Sequence, residues 1–280
     1  MRITQKFAAF LTVLVFALVT STVAFAAEDG VDWSRGVIRA TGLATGKTKE
    51  KHAGLYRAQA KRAAIMDAQR NLAESVKGVS VMSNSSMLDL ELKYDEVRTR
   101  VETIIKGMRE VEIKFLDDGT CEVILEMPLF GAGGNNLSDA AFLPFRNDPK
   151  DDFPQPVDKS VANDSNVVGK NYTGLVIDCR GLNLNCVMSP VIKNADGMKI
   201  YGHTNLDYNK IIVNGMAAYA GDAYDQISAQ RAGNNPFVVK AVSLDDMNST
   251  PVISVADADR ILAANAHDRF LDNCAVVFLK

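Results

Sequence analysis

Residues 57–72 read RAQAKRAAIMDAQRNL, and they lie inside a longer segment, Lys49–Lys77, that contains no proline and a single glycine. Most of its residues are good helix formers, so the segment predicts one long helix. One face of this helix is apolar, with residues spaced three, four or seven apart: Ala58, Ile65, Ala68, Leu72 and Val76. Because alanine side chains are small, this stripe predicts a helix that lies close against a sheet.

Strand and helix signals on both sides of this segment complete a first domain at residues 33–128. Two apolar runs alternate with polar residues and are joined by Asp117-Asp118-Gly119, which predicts a β-hairpin. The predicted elements around the long helix are the strands Val37–Gly42 and Val79–Val81, an amphipathic helix with Tyr94, Val97, Val101, Ile104 and Ile105, and the hairpin Val111–Leu116 and Cys121–Met127.

The second half begins after a proline- and glycine-rich segment, residues 129–169, which we interpret as an irregular connector. Residues 170–280 then predict a C-terminal domain of unknown function, with strands at both ends. Its predicted elements are the strand Thr173–Cys179, a hairpin around Asn194-Ala195-Asp196-Gly197, the helices Tyr208–Ala220 and Ala256–Ala266, and the strands Phe237–Val242 and Cys274–Leu279. The fold class is therefore α+β, with two small sheet-plus-helix domains.

The first 26 residues have the pattern of a secretory signal peptide. Arg2 and Lys6 precede an apolar run, and Ala24-Phe25-Ala26 provides an A-x-A cleavage site before Ala27. The first cysteine is Cys121, so we expect no lipid-acceptor cysteine at the cleavage point. No later apolar stretch is long enough to span a bilayer, so we expect no transmembrane anchor after cleavage. The sequence predicts export to the periplasm, the outer envelope or the extracellular space.

The first domain resembles two envelope families, the LPP-twenty (LPP20) lipoproteins and the N-terminal domain of the flagellar ring protein FlgT. The resemblance rests on Ala-Ala-Ile-x-Asp-Ala-x-x-x-Leu at Ala63–Leu72, followed by a strand, a second helix, Gly107 and a closing hairpin. It implies a small sheet packed by a long helix, no catalysis, and a role in surface or motility-apparatus assembly. The chain differs from the lipoproteins because it lacks their acceptor cysteine.

The four cysteines leave two interpretations open. Export permits disulfides, and Cys179 and Cys186 flank a short loop, so they are the best candidates for a pair. The alternative is that all four cysteines are free and buried as small apolar side chains.

Candidate catalytic and binding groups are sparse. His52, His203 and His267 show no metal-binding spacing, so we expect no metal and no cofactor. The glycines at Gly131–Gly134 lack the residues of a phosphate-binding loop and fit a connector. Asp178, beside Arg180, fits a turn better than a catalytic acid, and His267-Asp268 lacks a nucleophile motif.

Charge also limits the function. The chain is acidic, with a formal net charge of −3, which argues against a nucleic-acid partner. A basic stretch at Lys47–Lys77 could touch anionic surfaces, but a solvated helix face is the simpler interpretation.

Two classes of function remain. We expect a non-enzymatic envelope protein that acts in assembly or interaction, with envelope proteins or a second copy as partners. The alternative is a periplasmic or secreted protein that binds a small ligand or glycan. The hairpin at Val111–Met127 supports the first class, because it could leave an unpaired sheet edge that adds strands.

Overall fold

The computed structural model of the protein describes residues 29–47, 53–221 and 226–280. The signal peptide, its cleavage site at Ala26–Ala27 and the start of the long helix at Lys49 lie outside these ranges. The α+β prediction is confirmed: both halves combine small sheets with helices. Among the described residues, no helix is both long and apolar enough to cross a bilayer.

The first domain is a four-stranded antiparallel sheet covered on one face by a long helix. The sheet has the strand order β1-β2-β6-β5. The elements of the first domain are β1 (Gly30–Asp32), β2 (Val37–Ala44), α1 (Ala53–Lys77), β3 (Ser80–Met82), β4 (Ser85–Ser86), α2 (Met87–Lys93), α3 (Asp95–Gly107), β5 (Glu110–Phe115) and β6 (Cys121–Pro128). The predicted hairpin is confirmed as the antiparallel pair β5 and β6.

Helix α1 packs on the sheet through a row of residues spaced four apart: Tyr56, Ala60, Ala64, Ala68, Leu72 and Val76. The predicted stripe was therefore partly wrong, because Ala58 is exposed and Ile65 is only half-buried. The contact is close at Gly42 of β2, where a Cβ atom would stand 2.2 Å from the Ala64 carbonyl oxygen and the Ala68 amide nitrogen. Glycine and alanine together thus set the distance between helix and sheet.

Residues 129–169 run between the two domains and contain little regular structure. The described elements are α4 (Leu137–Ala141) and two short 3-10 helices, at Leu143–Phe145 and Lys159–Asn163. Helix α4 begins at Asn136, whose side chain accepts a hydrogen bond from the Asp139 amide. Leu137 and Phe142 are buried, so the first part of this segment belongs to the core.

The second domain contains a parallel sheet, which the sequence did not specify. Its strands follow the order β10-β14-β7-β11, and a separate mixed sheet has the order β12-β13-β8-β9. The elements are β7 (Gly174–Asp178), β8 (Ile192–Asn194), β9 (Lys199–Tyr201), α5 (Tyr208–Asn214), β10 (Ala218–Ala220), α6 (Gln226–Ala232), β11 (Pro236–Lys240), β12 (Ser243–Asp245), β13 (Thr250–Ile253), α7 (Val255–Asp268) and β14 (Val276–Leu279).

The predicted helix Tyr208–Ala220 was too long. Helix α5 ends at Asn214, because Gly215 has a φ of 67° and caps the helix in the left-handed region. The following residues form strand β10, where the buried Tyr219 hydroxyl donates a hydrogen bond to the Val187 carbonyl at 2.8 Å. Tertiary contacts thus outweigh local helix propensity in this stretch.

The two domains share one continuous core. The backbone of β3 accepts hydrogen bonds from the second domain, from the Met188 amide to Ser80 at 3.0 Å and from the Ser189 amide to Val81 at 2.7 Å. The rings of Trp33 and Tyr219 also meet edge to face, with centroids 5.6 Å apart. The two domains are therefore packed against each other and are not joined only by a flexible linker.

Helix α7 anchors the second part of the connector through a buried carboxylate. Asp259 accepts hydrogen bonds from the amides of Val157 at 2.7 Å and Asp158 at 3.0 Å. We expect Asp259→Ala to release this segment, since about 1.5–3 kcal/mol is lost for each hydrogen bond to a charged group. Trypsin should then cut at Lys159 at least tenfold faster than in the native chain.

Asp257→Ala on the same helix is the control, because this variant leaves the Asp259 contacts in place. Equal cleavage rates in the two variants would show that Asp259 does not hold the connector.

Candidate functional site

Strand β5 forms one edge of the first sheet, and it carries exposed apolar side chains. β5 pairs with β6 on one side, and no strand of the described residues pairs with the other side. The exposed apolar residues of this edge are Val111 (56% exposed), Ile113 (36%), Phe115 (38%) and Leu116 (44%). An edge strand with apolar residues is a template for the addition of another strand.

The direction of the backbone groups on β5 follows from one hydrogen bond. The Leu116 amide donates to the Thr120 carbonyl inside the hairpin, at 2.8 Å. Because backbone groups alternate along an antiparallel strand, the Lys114 amide also faces β6. The amides of Ile113 and Phe115 therefore face the open edge.

The two faces of β5 differ in chemistry. Ile113 lies opposite Val123 on the face that α1 covers, whereas Lys114 lies opposite Glu122 on the outer face. On this outer face the Lys114 ammonium contacts the Glu112 carboxylate at 2.6 Å. The hydrogen bond to Lys114 lowers the pKa of Glu112, and the same contact raises the pKa of Lys114. The edge thus presents Ile113 and Phe115 on the face that α1 covers, where Glu110 pairs with Lys61, and the pair Glu112 and Lys114 on the outer face.

A cavity of about 180 Å³ lies where the connector meets the second domain. Its wall includes Phe145 and His203, whose ring centroids are 5.3 Å apart. The Arg146 guanidinium lies 5.7 Å from the centroid of the Tyr208 ring. Burial lowers the pKa of His203, so its ring is neutral near pH 7. The cavity combines aromatic surfaces with the cations of Arg146 and Lys150 and the carboxylates of Asp148 and Asp207, which suits a small ligand with an apolar face and polar or charged groups.

The Tyr208 hydroxyl is buried, and it has no hydrogen-bond partner among the described residues. Burial also raises the pKa of Tyr208, so the hydroxyl keeps its proton at neutral pH.

Comparison with known families gives two matches, which together span both domains. Residues 39–127 match the family LPP20 lipoprotein, and residues 174–280 match the second domain of Treponema pallidum Tp0624. The first domain is therefore similar to the LPP20 lipoproteins, and the second domain is similar to the second domain of Tp0624. A comparison with curated proteins finds no match.

The family matches follow the structural units. The LPP20-like match begins in β2 and ends in β6, so it includes α1 and the edge strand β5. The second match begins at the first residue of β7 and includes the whole parallel sheet. The first domain is thereby similar to envelope-associated lipoproteins, whereas the name of the second family states no activity.

The predicted Cys179–Cys186 disulfide is absent: Cys121, Cys179, Cys186 and Cys274 are all free thiols. Cys179 lies fully buried in the core, whereas Cys186 is only partly buried at its margin. Burial raises the pKa of Cys179 to about 12 and also raises that of Cys186. Both groups therefore stay protonated. The interpretation as small buried side chains holds for Cys121, Cys179 and Cys274, whereas Cys186 is only partly buried.

Two acids considered as catalytic candidates have structural contacts. Asp178 accepts two hydrogen bonds from the Arg180 guanidinium, at 2.8 and 2.7 Å, and one from the Arg180 amide. Hydrogen bonding to Arg180 opposes the effect of burial and lowers the pKa of Asp178 to about 2. Asp268 accepts a hydrogen bond from the Tyr172 amide at 2.8 Å and so holds the segment between the connector and β7. His267 is exposed beside it.

The glycines at Gly131–Gly134 and the basic residues of α1 also make contacts within the chain. The Gly131 amide donates to the Ile212 carbonyl at 3.0 Å, so it does not point to an external phosphate. On α1, the Lys61 ammonium pairs with Glu110 at 2.6 Å, and Lys77 pairs with Glu74 at 3.0 Å. His52, Lys49 and Lys51 lie outside the described residues. In the described ranges 29–47, 53–221 and 226–280, no cluster of His, Cys, Asp or Glu is placed to hold a metal ion.

The sequence found the hairpin but missed the cavity. The alternating apolar residues and the turn residues predicted β5 and β6 as a hairpin. Only the pairing of β6 with β2 shows that β5 is the edge strand. Arg146 is far from His203 and Tyr208 in sequence, and the three residues form no motif, so no sequence signal joined them.

Proposed function

We propose that this chain is an exported, non-enzymatic envelope protein that acts by associating with other proteins through the open edge of β5. The observation that carries the proposal is the position of β5, with outward amides at Ile113 and Phe115 and apolar side chains exposed beside them. Adding a strand there would satisfy the backbone groups and bury the apolar surface together.

The charges of the edge support association. Natural edge strands are protected by unpaired charges that repel another strand. On β5 the charges of Glu112 and Lys114 already neutralise each other within the strand. The third charge of the strand, Glu110, pairs with Lys61 of α1, so each charge of β5 has an opposite charge beside it.

The proposal that the chain is not an enzyme draws on the contacts of its acids. The Asp178 carboxylate is bound by Arg180, the Asp259 carboxylate holds amides of the connector, and the Asp268 carboxylate holds the Tyr172 amide. These contacts give each of the three acids a structural role, which is the simpler account of their positions in the fold.

Site-specific photocrosslinking in cells tests the association. Benzoylphenylalanine in place of Val111 should give covalent adducts with an envelope protein or with a second copy. The control position is Leu92 on α2, which is 77% exposed but lies away from the edge. Adducts of equal yield at both positions, or none at Val111, would contradict the proposal.

A second candidate function is the binding of a small ligand, and the cavity beside Arg146 favours it. Its aromatic rings could stack on a sugar ring while Arg146 binds a carboxylate. Glucuronate should then raise the melting temperature of the protein, glucose should raise it less, and Arg146→Ala should remove the difference. If neither sugar shifts the melting temperature, this candidate fails for sugar ligands.

A further inference from the structure

We propose that the partner at the β5 edge is a second copy of this chain, paired antiparallel through a two-fold axis at Ile113. The inference rests on the proposed function and names its partner. It is carried by the order of charged and apolar residues along β5, which read Glu110-Val111-Glu112-Ile113-Lys114-Phe115.

The backbone allows only certain registers. In an antiparallel pair, residues whose amides point outward must face each other, and on β5 these residues include Ile113 and Phe115. Near the middle of β5, the symmetric pairs that obey this condition are centred on Glu112, on Ile113 or on Lys114. A shift by one residue would instead place apolar side chains against charged ones.

Charge selects one of these three registers. Centring on Glu112 places two carboxylates face to face, and centring on Lys114 places two ammonium groups face to face. Centring on Ile113 places Glu112 of each copy opposite Lys114 of the other. Opposite charges in directly facing positions stabilise a strand pair, whereas like charges destabilise it.

The apolar face fits the same register. A two-fold axis perpendicular to the sheet puts both copies of α1 on one face of a continuous eight-stranded sheet. Ile113 and Phe115 lie on this face, and each remains more than a third exposed. Pairing brings the two Ile113 side chains together, whereas Val111 lies outside the regular part of the pair because the register of β5 shifts between Glu110 and Glu112. The surface that α1 leaves uncovered is then buried between the two helices.

Charge-reversal variants test both whether the partner is a second copy and whether the register is centred on Ile113. Glu112→Lys alone should weaken dimerisation about tenfold, because it places a second ammonium group opposite Lys114 in both facing pairs. Lys114→Glu alone should weaken dimerisation similarly, because each facing pair then holds two carboxylates. A one-to-one mixture of the two variants should form heterodimers as readily as the native chain forms homodimers, because every facing pair is again Glu with Lys. Sedimentation equilibrium of the native chain, each variant and the mixture measures these changes.

Matched controls separate this effect from general surface charge. The exposed pair Glu102 and Lys106 lies on α3, with its charges 3.2 Å apart. Glu102→Lys should leave dimerisation unchanged. Ile113→Pro removes an outward amide, and it should abolish dimers while the circular dichroism of the chain is preserved.

The outcomes distinguish this inference from the proposed function. A native chain that is monomeric at all concentrations, yet crosslinks from Val111 to another envelope protein, would overturn the second-copy inference and leave the proposed function standing. Heterodimers no tighter than the single-variant homodimers would overturn the Ile113 register. Absence of both dimers and Val111 adducts would overturn the inference and the proposed function together.

Discussion

Gly42→Ala is expected to destabilise the first domain by about 3 kcal/mol, at the upper end of the usual cost of overpacking a core. The added Cβ would stand 2.2 Å from the backbone of both Ala64 and Ala68. Backbone atoms in a helix cannot rotate away as a side-chain end can, so α1 would have to move off β2. That movement would also loosen the contacts of Ala60 and Leu72 with the sheet.

The control for Gly42→Ala is Gly54→Ala, in the first turn of the same helix. A Cβ at Gly54 meets no atom within 4 Å. Alanine there should leave the domain unchanged or stabilise it by up to ~1 kcal/mol, because alanine is a better helix former. Urea unfolding of both variants measures the difference. If Gly42→Ala unfolds at the same urea concentration as Gly54→Ala, the close helix-to-sheet contact is not a determinant of the fold.

Arg231→Met is expected to be the second large effect, with a loss of on the order of 3 kcal/mol. The Arg231 guanidinium donates to the carbonyls of Cys274 at 2.9 Å, Gly215 at 3.3 Å and Asn214. It also lies 5.2 Å from the ring centroid of Phe130, at the start of the connector. Burial lowers the pKa of Arg231, so the carbonyl contacts compensate for lost hydration. Methionine keeps the apolar stem and leaves these carbonyls without their donor.

Arg260→Met is the matched control for Arg231→Met. Arg260 lies over the Phe237 ring at 5.3 Å and pairs with Asp257 at 3.5 Å, but its side chain is about half exposed. Exposed ion pairs contribute about 0–1 kcal/mol, so this variant should lose little stability. Calorimetric melting of the two variants compares them. Equal losses of stability in the two variants would show that the Arg231 guanidinium does not join the second domain to the connector.

Local patterns predicted the elements of the first domain, but they could not fix which helix face meets the sheet. Alanines lie on several faces of α1, so Ala58 looked as suitable for the core as Ala64. The contact with Gly42 decides between them, and this contact joins residues more than twenty positions apart. The hairpin of β5 and β6 was predictable because its turn and alternation are local.

Long-range pairing limited the prediction of the second domain. The strands β7 and β14 pair in parallel from the two ends of the domain, and no local signal encodes that order. The predicted helix extended past the end of α5 because Ala217 to Ala220 have ordinary helix propensity. The contacts of the buried Tyr219 make this stretch a strand instead. The sequence predicted that the hairpin could leave an open edge, but it did not show which strand forms that edge. The pairing of β2 with β6 leaves β5 as the outer strand, and this pairing is long-range.

Amide hydrogen exchange of the associated protein tests the central claim most directly. The account predicts that the Ile113 and Phe115 amides become protected when the chain associates and exchange freely in the dissociated chain. The Leu116 amide should be protected in both states, because its hydrogen bond to Thr120 lies inside the hairpin. Free exchange of the Ile113 and Phe115 amides in the associated state, with new protection elsewhere, would show that the β5 edge is not the contact.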